Sequence, residues 1–454
     1  MFAILYVLMT FASLIVSPTD YHGKAPPGTE SHSPSTLPRR QSYIPVHYVT
    51  GCHYEVGVSV GRVYANMIQQ YVKAYGPLKD LLAAYATPKG KKIYQDSLDS
   101  CRRYFPQYVI EMEGMADGSG VPFEQLFIIT LDDTLLLNVN DNTPDPGPIG
   151  CTSILVNQDS AQFLGHTEDS VKETVNNYII LAAHVIPSER EKGGIFAARE
   201  EKFEALTYVA HLSGYASGHN MFGLIFSVNQ IFVSKPLSGR IPREIVCRAL
   251  LAARADLEEI MFILINPGCG TANGFNVNLG FLNNLKGERE LHTVEVVPDP
   301  TGPYSNAFLT RFPMGFNSLH TNRLLHLKYP ELNQDGYHGS LTRENRYKIL
   351  TGQMPNDKIT NLAELLTVLG NQDDMGVYPI FGDSDTAYVN TINLGVFDFE
   401  EKTWTMWCND PLRNQPLLQL PLTFKDLIYP TLDELIINNI KDVQPVVLND
   451  KEIK

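Results

Sequence analysis

Between Tyr54 and Tyr85 apolar residues recur every three or four positions (Val56, Val60, Val63, Met67 and Tyr71, then Leu81 and Leu82), the pattern of a helix buried along one face. Gly76-Pro77 interrupts it, because proline offers no N–H to the helical ladder. A second helical stretch reads from about Lys92 to Met115 and stops at Gly118-Ser119-Gly120-Val121-Pro122, and a third runs from Phe123 to Leu137. The pattern then changes to strands. Thr152 to Val156 reads as a strand, Asn157 to Ser160 as a turn, and Phe163 to Gly165 as the return strand of a hairpin. Further strands read at Leu206–His211, Gly223–Val228, Gly274–Asn278, Thr293–Val297, Ala387–Phe397 and Thr403–Trp407, and helices at Pro242–Ala253, Leu257–Leu264, Arg343–Leu350 and Leu362–Leu369. Helices that precede a strand-rich body, with helices between strand pairs, predict an α+β or layered fold rather than a regular βαβ alternation.

Composition narrows the function classes. The chain has 454 residues, of which 44% are hydrophobic, with 22 Tyr and 21 Phe, enough for a sizeable core and incompatible with a disordered chain. Its 36 basic and 50 acidic residues give a net charge of −14, which repels nucleic acid and anionic lipid, so neither is expected as a partner. The cysteines Cys52, Cys101, Cys151, Cys247, Cys269 and Cys408 lie too far apart along the chain for a zinc or redox-dithiol motif and are too few for a disulfide scaffold. No metal and no cofactor are expected, and five of the six read as small buried hydrophobes.

Phe2 to Val16 is an apolar run of signal-peptide length, too short to span a bilayer, yet no Lys or Arg precedes Lys24 and no Asn-x-Ser/Thr acceptor follows. Localisation stays open between cytoplasmic and secreted, and no later segment predicts stable membrane insertion. Residues 17–40 lack periodicity, so 1–42 reads as a leader and linker with folded material from Tyr43. Asp, Asn, Pro and Gly crowd Asn138 to Gly150, an exposed loop of the kind where cleavage concentrates. It separates a helical part, 43–150, from a strand-led part, 151–454.

The junction carries the chemistry. If the Gly150–Cys151 peptide in Gly150-Cys151-Thr152-Ser153 were broken, Cys151 would carry a thiol and a free α-amine on one residue. An α-amine with its pKa near 7.7–8.0 is about a fifth to a third unprotonated at physiological pH, so it can take the thiol proton without a histidine. Gly150 lacks a Cβ, tolerates strain and leaves its carbonyl open to the thiol. After the hairpin turn comes Gly165-His166-Thr167-Glu168-Asp169, and far downstream stand the Gly223-Leu224-Ile225-Phe226-Ser227-Val228-Asn229 strand and Leu319-His320-Thr321-Asn322-Arg323.

With His53-Tyr54-Glu55-Val56-Gly57, Gly61-Arg62, Ile241-Pro242-Arg243, Arg248-Ala249-Leu250-Leu251 and Gly274-Phe275-Asn276, these motifs occur in the order seen in one family. Over roughly residues 43 to 410 the chain resembles the isopenicillin-N acyltransferase family of N-terminal-nucleophile (Ntn) hydrolases, and within it the arthropod β-alanyl-dopamine hydrolase type. The resemblance implies a four-layer αββα sandwich, made as an inactive precursor that cuts itself before the cysteine, with the two fragments remaining associated. It makes Cys151 the nucleophile, Asp169 the acid that orients the α-amine, Asn322 the side-chain amide that stabilises the oxyanion, and Asn229 a candidate backbone oxyanion donor. The implied reaction is hydrolysis of a small N-acyl amide through a thioester, with β-alanyl conjugates of dopamine or histamine (carcinine) as substrates. Relatives carry an Arg near the late strand, where this chain reads Gly382-Asp383-Ser384-Asp385-Thr386. The Arg is therefore supplied elsewhere or dispensed with.

Two other functions share the fold: an acyltransferase that passes the acyl group to an amine, and a non-catalytic member that keeps the sandwich for binding. Asp373, Asp374, Asp383 and Asp385 lack the spacing of a calcium loop and read as solvated, or as a draw for a cationic substrate amine. His166, His211, His219 and His320 lack the i, i+4 spacing of a zinc helix and read as hydrogen-bonded residues, with His320 positioning Asn322.

Overall fold

The computed structural model describes residues 39–139, 150–282, 289–332, 339–373, 378–384 and 389–424. The apolar run Phe2–Val16, most of the Asn138–Gly150 loop, and Asp374, Asp385 and Ala387 lie outside them. Among the described residues no helix is long and apolar enough to cross a membrane.

The opening half is helical: α1 (His53–Val63), α2 (Ala65–Ala74), α3 (Leu78–Ala86), α4 (Pro88–Tyr104), α5 (Pro106–Ser119), α6 (Phe123–Ile129) and α7 (Asp132–Val139). The expected break at Gly76-Pro77 separates α2 from α3. The single helix expected over Lys92–Met115 is two, because Pro106 cannot donate to the ladder and Phe105 leaves helical geometry (φ −136°, ψ 56°). The Phe123–Leu137 stretch likewise divides into α6 and α7. Helices α1 and α5 lie backbone to backbone. A Cβ at Gly57 would meet Glu111 O at 1.9 Å and one at Gly114 would meet Tyr54 O at 2.2 Å, so this crossing requires glycine on both helices.

A strand missed by the sequence reading, β1 (Val46–Gly51), precedes the helices. After residue 150 come β2 (Thr152–Gln158), β3 (Ala161–Val171), β4 (Tyr178–Val185), β5 (Glu201–Tyr208), β6 (Ser217–Asn220) and β7 (Leu224–Ile231), then α8 (Arg243–Leu250) and α9 (Leu257–Ile265). They are followed by β8 (Gly274–Phe281), β9 (Leu291–Pro298), β10 (Ser305–Phe312), β11 (Phe316–His320), α10 (Gly339–Thr351), α11 (Leu362–Leu369), β12 (Val389–Asp398), β13 (Thr403–Trp407) and β14 (Leu418–Pro421). They form an eight-stranded sheet, β1-β4-β5-β6-β7-β8-β9-β10, and a six-stranded sheet, β11-β2-β3-β12-β13-β14. β1 pairs with β4 in parallel, so the helical part contributes a strand to the sheet of the catalytic part.

Strand alternation builds the layers. In β2, Ile154 and Val156 pack outward with Leu365, Val368 and Leu369 of α11. Leu155 between them points inward, where Leu164, Phe397 and Trp404 of the smaller sheet meet Ile180, Leu206 and Ile225 of the larger. The other face of the larger sheet (Leu181, Phe203, Phe226, Val277, Val294) packs against the seven opening helices with α8 and α9. Helices, two stacked sheets and helices make the α+β, four-layer αββα sandwich that the sequence motifs implied.

Ordered contacts start ahead of Tyr43. Arg39 donates to Thr391 O, to Cys408 O at 3.1 Å and to Gly382 O at 3.4 Å, and it pairs with Asp383 at 2.8 Å.

Candidate active site

Cys151 stands at the mouth of β2, 6% exposed. Gly150, before it, has φ +143°, and a Cβ there would fall 2.0 Å from Asn322 Oδ1. Both facts demand glycine at the residue whose carbonyl the thiol would attack. In the hairpin Thr152 pairs with Thr167, so β3 runs on past Cys151 and brings Glu168 and Asp169 alongside it.

The thiol of Cys151 lies 3.4 Å from Glu168 Oε2. His166 Nε2 is 2.7 Å from the same oxygen, and the Tyr208 hydroxyl donates to Glu168 Oε1. Burial above all, then the neighbouring charges of Glu168 and Asp169, raise the Cys151 pKa well above its ordinary value; the Asp169 amide and Arg343 pull it the other way. In the intact chain this residue is a neutral thiol. Asp169 Oδ1 accepts from the Thr391 hydroxyl at 2.6 Å, while Oδ2 is buried without a hydrogen-bond partner among the described residues. Burial pushes the Asp169 carboxyl up to about 8, against the opposing pull of Arg343 and the Thr391 hydroxyl. Thr391 is brought there by a β-bulge in β12, where Thr391 pairs with Asp169 and Asn393 with Glu168.

Arg343, at the second turn of α10 and fully buried, places a guanidinium at the junction. Its Nη1 donates to Gly150 O at 3.0 Å, Cys151 O at 2.6 Å and Thr152 Oγ1 at 2.9 Å, and its Nη2 donates to Asn322 Oδ1 at 2.8 Å. The neighbouring Glu344 anchors that turn, accepting from Thr321 Oγ1 at 2.9 Å and from Arg323. Sequence reasoning placed Arg343 in a helix and gave it no role, since nothing local distinguishes it from a solvent-facing arginine.

Asn322 lies against Gly150, and one N–H of its amide donates to Gln230 O at 2.9 Å. His320 holds the turn before it, with Nδ1 on Thr321 O at 2.8 Å and Nε2 facing Glu295 at 3.2 Å. Asn229 lies inside β7, and its side chain reaches the nucleophile residue: Nδ2 donates to Cys151 O at 3.1 Å and His320 O at 3.4 Å. It holds the carbonyl of Cys151 itself and is not aimed at that of Gly150. The register of the larger sheet decides this.

Cys151, His166 and Glu168 place three metal-ligating atom types within 4.8 Å of one another. Tetrahedral zinc would hold its nitrogen and oxygen ligands about 3.3 Å apart. The 2.7 Å between His166 Nε2 and Glu168 Oε2 is a hydrogen bond, so the trio fits proton transfer better than ion binding. His211 and His219 lie against Glu244 and Glu204 as hydrogen-bonded core residues. Asp383 is paired with Arg39 and is not a free anion for a substrate amine.

A thiol beside a carboxylate, next to a peptide carbonyl held by a guanidinium, is equipped for acyl transfer. Residues 156–413 match the model of the acyl-coenzyme A:6-aminopenicillanic acid acyl-transferase family. Over 394 residues, 86% of this chain and 98% of the other, the sequence is 34% identical to the beta-alanyl-dopamine/carcinine hydrolase of Drosophila melanogaster. Two solved structures of conjugated bile acid hydrolase from Clostridium perfringens each match at 14% identity, covering 60% of this chain and 92% of theirs with a TM-score of 0.35. By family model and by identity over nearly the whole length of a relative, the chain belongs to the acyl-coenzyme A:6-aminopenicillanic acid acyl-transferase family.

Proposed function

We propose that this chain is a cysteine amidohydrolase that cuts its own Gly150–Cys151 peptide and then hydrolyses N-β-alanyl amines through a thioester on Cys151. The observation that carries the reading is the arrangement at that peptide: a thiol on one side, the carbonyl of Gly150 donated to by Arg343 at 3.0 Å, and Asp169 Oδ2 buried with no hydrogen-bond partner among the described residues. The substrate class rests on the Drosophila relative, named for β-alanyl-dopamine and carcinine, whose length this chain covers almost entirely.

In the cut chain the new α-amine takes the thiol proton, and the α-ammonium finds an acceptor in Asp169 Oδ2. The thiolate adds to the substrate carbonyl. This reading assigns Arg343 Nη1, which contacts Gly150 O, and the second N–H of Asn322 as donors to the developing oxyanion, and one such donor is worth about 10²–10³ in rate. The amine leaves with the proton returned from the α-ammonium, and water then releases β-alanine from the thioester.

The test is the intact mass of the purified chain under denaturing conditions beside Cys151→Ala, followed by release of β-alanine from N-β-alanyl-histamine. The reading expects two fragments meeting at Gly150/Cys151, an uncut variant, and turnover by the cut protein only. A wild-type chain that stays whole overturns the mechanism. A cut chain inert toward β-alanyl amides but active on other amides overturns the substrate class alone.

A further inference from the structure

The α-amine that serves the mature enzyme does not exist before the first cut, when the Cys151 nitrogen is still part of the peptide. The buried thiol must nevertheless lose its proton to attack Gly150. We propose that Glu168 is the catalytic base of self-cleavage, a role distinct from that of the α-amine in turnover; the inference rests on the self-processing reading above.

The geometry singles out one acceptor. Glu168 Oε2, 3.4 Å from Cys151 Sγ, is the side-chain acceptor in hydrogen-bond reach of the thiol among the described residues. Asp169 commits Oδ1 to Thr391, and its carboxyl is held largely protonated at neutral pH. Glu168 is gripped at both oxygens, by Tyr208 at Oε1 and His166 at Oε2.

The far side of His166 defines its protons. Asn229 Nδ2 faces two carbonyls, so Asn229 Oδ1 faces Ser153 Oγ at 2.9 Å, and Ser227 Oγ lies 3.1 Å from the same hydroxyl, whose single proton goes to one of these two oxygens. His166 Nδ1, 2.8 Å from Ser153 Oγ, must then be the donor in that contact. One proton is left between His166 Nε2 and Glu168 Oε2. With that proton on His166 the pair is imidazolium and carboxylate, and the carboxylate faces the thiol.

The step balances. The Cys151 thiol proton passes to Glu168 Oε2 as sulfur bonds to the carbonyl carbon of Gly150, and the negative charge gathers on the oxygen that Arg343 Nη1 already contacts. When the C–N bond breaks, Glu168 returns the proton to the departing nitrogen of Cys151. The products are a Gly150 thioester on Cys151 and a free α-amine; water then gives the Gly150 carboxylate and the thiol. The first turnover therefore creates the base for all later ones.

The experiment is self-cleavage of the full chain during cell-free synthesis, following intact protein and fragments with time. Glu168→Gln should slow cleavage about 10²–10⁴-fold, the usual worth of a positioned base. Glu168→Asp should recover part of the rate. In Glu168→Ala, added formate should accelerate cleavage, a rescue that lost packing would not produce. Far-ultraviolet circular dichroism of the uncut variants, matched to uncut Cys151→Ala, separates a chemical defect from misfolding. Glu168→Gln cutting within threefold of wild type, or folded Glu168→Ala that stays slow in formate, overturns the inference while wild-type cleavage leaves the self-processing reading standing. A wild-type chain that never cuts overturns both.

Discussion

Arg343 Nη1 lies 3.0 Å from Gly150 O while Nη2 of the same guanidinium holds Asn322 Oδ1 at 2.8 Å. One buried side chain thus grips the carbonyl of the peptide proposed to be cut and orients the amide expected to help stabilise it. The planar fork is what allows both. Arg343→Lys keeps the charge and loses the second arm, so it should slow self-cleavage by about 10²–10³, the value of one oxyanion donor. Intact mass against time checks this, and cleavage at the wild-type rate removes Arg343 from the mechanism.

Gly150→Ala tests the local geometry. The added Cβ would fall 2.0 Å from Asn322 Oδ1, at a φ of +143° that favours glycine. The chain must rotate the Gly150 carbonyl away from Arg343 or push Asn322 aside. The variant should fold, because the clash is confined to one side chain, and should remain uncut over the time in which wild type is fully processed.

Asp169 makes the intact chain sensitive to pH. Its carboxyl is raised to about 8 by burial, against an unfolded value near 3.9. The folded chain therefore holds a proton that the unfolded chain has lost between about pH 4 and 8, and stability falls with rising pH across that window. In an uncut Cys151→Ala background, the melting temperature should drop from pH 5 to pH 8, and Asp169→Asn should remove much of that drop. An unchanged slope in the double variant would show that the carboxyl ionises normally.

A buried ionic cluster joins the parts of the chain before and after Gly150. Arg248 of α8 donates to Glu111 of α5 at 2.8 Å and to Glu201 of β5 at 2.7 Å, and Glu111 also meets His53 of α1 at 2.8 Å. Two of these residues precede Gly150 and two follow Cys151, on either side of the proposed cut. Removing one partner leaves a buried charge uncompensated, at a cost of about 3–5 kcal/mol. Arg248→Met should lower the melting temperature of the cut protein and let its fragments separate on size exclusion in mild denaturant that wild type withstands. Co-elution of the variant's fragments there would place the joint elsewhere, such as the β1–β4 pairing.

Much of the fold was legible because it is written in local periodicity. The boundaries of α11 and β13 read directly from their apolar spacing, and the Gly76-Pro77 break was visible as chemistry. Pro106 was equally visible, yet the apolar pattern runs through it, and the single helix read there was two. Strand β1 was overlooked because what makes it a strand is β4, some 130 residues later.

For the site, the sequence by itself determined the loop-to-hairpin junction, the Gly150-Cys151 pair within it, and Asp169, which the short hairpin must return beside the nucleophile; the neighbouring Glu168 carried no role in it. These lie within about one hairpin of each other, so chain connectivity alone keeps them close. Only the tertiary structure decided which polar groups reach the site: Asn229 from β7 and Arg343 from α10 at the peptide carbonyls, and Thr391 through its bulge at Asp169, respectively 78, 193 and 222 residues from the groups they bind. A hydrogen bond depends on tenths of an ångström, and across such separations those are set by sheet register and helix packing, which no local pattern records.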